Sequence, residues 1–98
     1  MMMGEEKRKR ERFPLAQNVE LKTSEGTVVN SNGVNISEGG ILCRTEKDIA
    51  TGTTVTFQLT IPIGKRNVTV SCEGVILRCL KNNDRFDIAI VLTDQEYA

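Results

Sequence analysis

Three observations predict an all-β fold of antiparallel strands, closed into a barrel or stacked as a sandwich. The stretch Thr54 to Ile61, TVTFQLTI, alternates apolar and polar residues without a break, the period of a half-buried strand. Turn-forming clusters recur at Ser24-Glu25-Gly26, Glu38-Gly39-Gly40, Gly64 to Asn67 and Asn82-Asn83-Asp84. No segment sustains a 3.6-residue apolar period, and short strands joined by tight turns imply antiparallel pairing.

The elements follow in order. Residues 1–12 are a charged arm, and FPLAQNVEL then leads into a first strand at NVEL. The next apolar run is ambiguous. Asn32-Gly33 is a favoured two-residue hairpin turn, which would fold Val28–Ser31 back on Val34–Ser37. GILCR, Gly40 to Arg44, is a short strand. Val55, Phe57, Leu59 and Ile61 face inward from the next, and Val68, Val70 and Cys72 from the one after it. The parity then changes, so that Val75, Leu77 and Cys79 form the inward set and Arg78 stays on the polar face. Both sets face inward only if an extra residue is inserted, which predicts a β-bulge near Glu73 and Gly74. RFDIAIVL closes the series with Phe86, Ile88, Ile90 and Leu92 inward.

The 98 residues and 39% hydrophobic content describe one modest core, and with only four aromatics that core is built from Val, Ile and Leu. No apolar run approaches the ~20 residues of a membrane span. The N-terminus lacks the apolar stretch of a signal peptide, so the chain reads as cytoplasmic, with no membrane partner. Cys43, Cys72 and Cys79 show no CxxC spacing and the chain has no His, which argues against a disulfide framework and a zinc site. They read as buried, reduced thiols. The missing His also removes the commonest general base, and there is no metal constellation and no nucleophile beside a base, so the chain does not read as an enzyme.

Net charge is zero but unevenly spread: residues 1–12 carry five Lys or Arg and three Glu, and the remainder is net acidic. The body is therefore a poor surface for a nucleic-acid polymer, and it lacks the stacking aromatics that single strands require. The positive charge lies on the arm, either as a solvated tail or as an anion clamp.

Two stretches carry more chemistry than a strand or a tail needs. Arg8-Lys9-Arg10-Glu11-Arg12 places two forked guanidinium donors four residues apart. Asn35-Ile36-Ser37-Glu38-Gly39-Gly40 places an amide, a hydroxyl and two glycines between apolar Val34 and Ile41. Read locally, Asn35 and Ser37 bond the turn backbone and the glycines serve the turn. Together, as RxxxR followed by NxSxxG ahead of a bulged β-domain, the two stretches resemble the PilZ domain, the bacterial receptor for cyclic di-GMP, over residues 7–94.

That resemblance implies a six-stranded antiparallel β-barrel at residues 13–98, preceded by a flexible basic arm at residues 1–12. It implies one long strand from Thr27 to Ile36 in place of the Asn-Gly hairpin. A C-terminal helix is usual in the family, but TDQEYA is too short to form one independently, so little or no helix is expected. The implied ligand contacts are Arg8, Arg12, Asn35, Ser37 and Gly40, with Lys7, Lys9 and Gly39 secondary; Arg78, on the polar face of its strand, is a further secondary candidate that no motif carries. An Arg fork meets guanine O6 and N7 together, pairs phosphate oxygens and stacks on a purine. Asn35 accepts from the guanine N1–H and N2–H edge, Ser37 donates or accepts, and Gly40 permits close approach and positive φ. Lys7, just before the first arginine, suits the extra phosphates of a stacked ligand pair. No cofactor is implied. Ligand would order the arm, and a downstream protein partner would read the change; the alternative is an adaptor that binds protein without nucleotide.

Overall fold

The computed structural model describes residues 13–97. The arm, with Lys7, Arg8, Lys9 and Arg12, lies outside the described residues. The strands are β1 (Phe13–Pro14), β2 (Asn18–Thr23), β3 (Val28–Ser37), β4 (Gly40–Thr45), β5 (Thr54–Ile63), β6 (Arg66–Asn82) and β7 (Arg85–Tyr97). All pairings are antiparallel. The ladder β3-β2-β5-β6-β7-β4 closes through β3–β4, giving a six-stranded barrel with β1 as an extra strand. No helix occurs among the described residues, and β7 continues through Tyr97.

Alternation builds the core as expected. Val55, Phe57 and Leu59 are buried on β5, Val70 and Cys72 on β6, and Ile88 and Ile90 on β7, while Ile61, Val68, Phe86 and Leu92 pack at the margin. Each fully buried Ile, Leu or Val stabilises the fold by about 1.5–3 kcal/mol. Polar groups drawn inside are paired: the Ser31 hydroxyl donates to the Val19 carbonyl at 2.7 Å, and the Thr45 hydroxyl to that of Asn30 at 2.8 Å.

The single long strand holds and the Asn-Gly hairpin does not form. Asn32 pairs with Asn18 on one side and Arg44 on the other, and Gly33 pairs with Cys43. Gly33 answers a packing demand instead: an added Cβ would meet the Leu15 side chain and carbonyl at 2.8 and 2.9 Å. The segment between β1 and β2 is pinned here. The Leu15 N–H donates to the Val34 carbonyl, and the Gln17 side-chain amide exchanges two hydrogen bonds with the Thr60 backbone on β5. Asn35 and Ile36 pair with β4 on one edge and β1 on the other, so β1 lies on the β2 side of β3.

The bulge reading needs correction. A register shift does fall between Glu73 and Gly74, but the extra residue is Thr93 on β7, because Glu73 opposes Asp94 and Gly74 opposes Leu92. The Thr93 hydroxyl closes that bulge on the Glu73 carbonyl at 3.1 Å. On β6 the parity changes later, at Leu77, between the Ile76–Ile90 and Arg78–Ala89 pairs. The inward set is therefore Val70, Cys72, Gly74 and Ile76, with Cys79 at the margin; Val75 is half-buried and Leu77 is 55% exposed. A glycine takes an inward position, which an apolar pattern cannot reveal.

Cys43 and Cys72 are buried and reduced, and Cys79 is half-buried. Burial pushes the Cys43 thiol up from 9.0 to about 11, against a smaller opposing effect of its hydrogen bond with Ser31. The unfolded chain then releases this proton first, so stability present below pH 9 should be lost as pH rises toward about 11. Chemical denaturation across that window should show the loss, and Cys43→Ala should lack that component of it.

Candidate functional site

The site begins with a bulge. Gly33 opposes Cys43 and Asn35 opposes Leu42, so Val34 is the extra residue on β3. Before it, Val29, Ser31 and Gly33 face the interior; after it, Ile36 packs against the core. The one-residue slip turns Asn35 and Ser37 onto the outer wall of the barrel.

Directly opposed residues in antiparallel strands share a face, so register identifies the neighbours of these two side chains. One row runs Asn35–Leu42–Ala89–Arg78 across β3, β4, β7 and β6. The row beside it runs Ser37–Gly40–Val91–Val75, and on the other side lies Asn32–Arg44–Asp87–Leu80. The outer wall thus presents polar Asn35 and Ser37 at one edge, a low apolar floor of Leu42, Ala89 and Val91, and Arg78 at the far edge.

The charges on this wall are of two kinds. The Arg44 Nε donates to Asp87 Oδ1 at 2.8 Å, and the Asn82 side chain donates to the other carboxylate oxygen at 3.1 Å. These hydrogen bonds hold the Asp87 carboxyl below its ordinary range. Arg78 is exposed and makes no hydrogen bond or ion pair among the described residues. The Ser37 hydroxyl is likewise unpaired among the described residues, so it does not anchor the turn.

The glycines of the turn divide. An added Cβ at Gly39 would meet nothing within 4 Å. At Gly40 it would lie 2.9 Å from the Ile90 carbonyl oxygen, so the close approach that requires glycine is that of β7. Neither residue has positive φ; among the described residues the positive-φ glycines are Gly26, Gly52 and Gly64. The Leu92 N–H ties the hairpin to β7 through the Gly39 carbonyl at 3.1 Å.

Phe13 opposes Ile36 and Pro14 opposes Asn35, so the chain leaving Arg12 enters the described region directly beside the turn motif. Arg8 and Arg12 themselves lie outside the described residues. A cleft of about 640 Å³ lies elsewhere. Its lining includes Glu20, Glu73, Asp94 and Glu96 against a single Lys22, a balance that repels a dianion. No group of His, Cys, Asp or Glu suited to a metal occurs among the described residues.

A closed six-stranded antiparallel barrel, with Asn35 and Ser37 on its outer wall and Phe13–Pro14 paired beside them as an extra strand, is the architecture of a PilZ domain. The chain belongs to the PilZ domain family, whose sequence model matches residues 6–96. Among solved structures it is similar to the inhibitor of motility MotI/DgrA of Bacillus subtilis, at 17% identity and a TM-score of 0.69. That likeness, which concerns the fold, covers 85% of this chain and 41% of MotI/DgrA, so the chain spans less than half the length of that relative. No curated protein matches the sequence.

The motifs could be read in the sequence. Their connection to Arg78 could not, because Asn35 and Arg78 meet in one row only through two intervening strands.

Proposed function

We propose that this chain is a cyclic di-GMP receptor that holds the ligand between its N-terminal arginines and the outer wall at Asn35 to Gly40. The observation that carries the reading is positional. In a PilZ domain, a family of cyclic di-GMP receptors, β1 sets the residue after Arg12 beside Ile36, and Asn35 and Ser37 project outward there. Five extended residues reach about 17 Å, so Arg8 and Arg12 can both address a ligand lying on this wall. Their guanidinium forks meet the guanine O6/N7 edge or the phosphates, Asn35 accepts from N1–H and N2–H, and the Ser37 hydroxyl adds a bond. No bond is made or broken. Bridging of arm and barrel is the change that a downstream partner protein would read, and it occurs in the cytoplasm, where the nucleotide is made.

Calorimetric titration with cyclic di-GMP tests the reading, with cyclic di-AMP as comparison. Adenine carries an amino donor where guanine has O6 and lacks N1–H, so cyclic di-AMP should bind far more weakly. Comparable affinities would leave a generic anion clamp, and no heat with either nucleotide would favour a protein-binding adaptor. Binding should weaken as salt screens the phosphates, and change little between pH 6 and 8 in a chain without His.

The turn residues give a second test. Ser37→Ala should weaken binding by about 2- to 10-fold, the worth of one hydrogen bond, with the melting temperature of the free protein unchanged. Asn35→Asp should bind equally or more tightly, since it offers a charged acceptor to the same guanine edge. A marked loss of melting temperature in Ser37→Ala without ligand would assign that hydroxyl to the turn instead.

A further inference from the structure

Arg78 is an exposed cation on a strand remote in sequence from either motif, and it has no partner among the described residues. It nevertheless shares a cross-strand row with Asn35, separated from it by Leu42 and Ala89. Three interstrand steps place the two ends about 14 Å apart along the curved sheet. The intervening side chains are aliphatic and half-buried, and Leu77, displaced outward by its bulge, is 55% exposed beside Arg78. The wall therefore has a hydrogen-bonding end, a flat apolar floor and a forked cation at the opposite end.

Cyclic di-GMP has matching symmetry. Its two guanines project from opposite ends of the ring, and a group that reads one leaves an identical edge unread on the other. We propose that Arg78 reads the second guanine, pairing its O6 and N7, while Asn35 reads the first. The inference rests on the receptor reading above, and it makes specificity a property of both halves of the ligand. The neighbouring cation on the wall, Arg44, cannot serve this role because its guanidinium is committed to Asp87.

The hybrid 3′,3′-cyclic GMP-AMP separates the halves, since it offers one guanine and one adenine on the same phosphate-ribose ring. The parent protein should prefer cyclic di-GMP over the hybrid by about 10-fold or more, a bidentate Arg–guanine pair being worth ~1–3 kcal/mol. In Arg78→Ala, affinity for cyclic di-GMP should fall to that for the hybrid, and the preference between them should collapse. Arg78→Lys should not restore it, because an ammonium lacks the fork. Lys65→Ala, which removes a charge at the distant β5–β6 turn, should leave the preference intact. Equal weakening of both ligands in Arg78→Ala would overturn the proposal in favour of a phosphate or long-range charge effect, and unchanged binding would overturn it outright. Failure of the parent to bind cyclic di-GMP would instead remove the receptor reading, and this inference with it.

Discussion

Arg12→Ala is expected to weaken cyclic di-GMP binding by about 100-fold or more, the loss of two charged hydrogen bonds at ~1.5 kcal/mol each. The melting temperature of the free protein should not change. Among the described residues the core runs from Leu15 to Ile90, and the barrel closes through β3 and β4. Arg8→Ala should behave alike, and Arg12→Lys should rescue neither affinity nor guanine selectivity, because a point charge cannot pair O6 and N7 together. Calorimetry and thermal melting on the same samples check both statements. An Arg12→Ala protein that binds like the parent would overturn the motif assignment.

Gly74→Ala should produce the largest stability loss of any single methyl addition considered. The new Cβ would stand 2.6 Å from Ile90 Cγ2 and 2.7 Å from the Val91 carbonyl oxygen. The first contact could be eased by a rotamer change, but the second is backbone inside a paired ladder and cannot withdraw without breaking it. Overpacking of this kind costs about 1–3 kcal/mol, or roughly 4–8 °C of melting temperature per kcal/mol in a domain this small. Gly40→Ala, with one backbone oxygen at 2.9 Å, should lose less, and it should do so without ligand present. Gly39→Ala, with open space around the new methyl, should stay within about 0.5 kcal/mol of the parent. If Gly74→Ala melts like the parent, the close approach of β6 and β7 at this point is wrong.

The parts of this protein legible in its sequence are those settled between near neighbours. The alternation in Thr54 to Ile61 and Phe86 to Leu92 fixes which residues of β5 and β7 face the core, because successive side chains of a strand must point to opposite sides. Turn chemistry located four of the breaks between strands, but not the β4–β5 connection at 46–53, and the two short motifs carried the family resemblance. The corrections all fall where a distant strand decides. A one-residue slip reverses every side chain beyond it, and whether the extra residue sits on β6 or its partner depends on which side can bend. Glu73 and Gly74 marked the region, yet the added residues are Thr93 and Leu77. Asn32-Gly33 would turn in a short peptide, but pairing with both β2 and β4 holds it extended. That Gly40 also makes room for the β7 backbone is a demand the motif alone does not show. Arg78 and Asn35 lie far apart in the chain, and only closure of the barrel, driven by burial of Ile36, Ile41, Ile76, Ile88 and Ile90 on its inner face, brings them into one row outside.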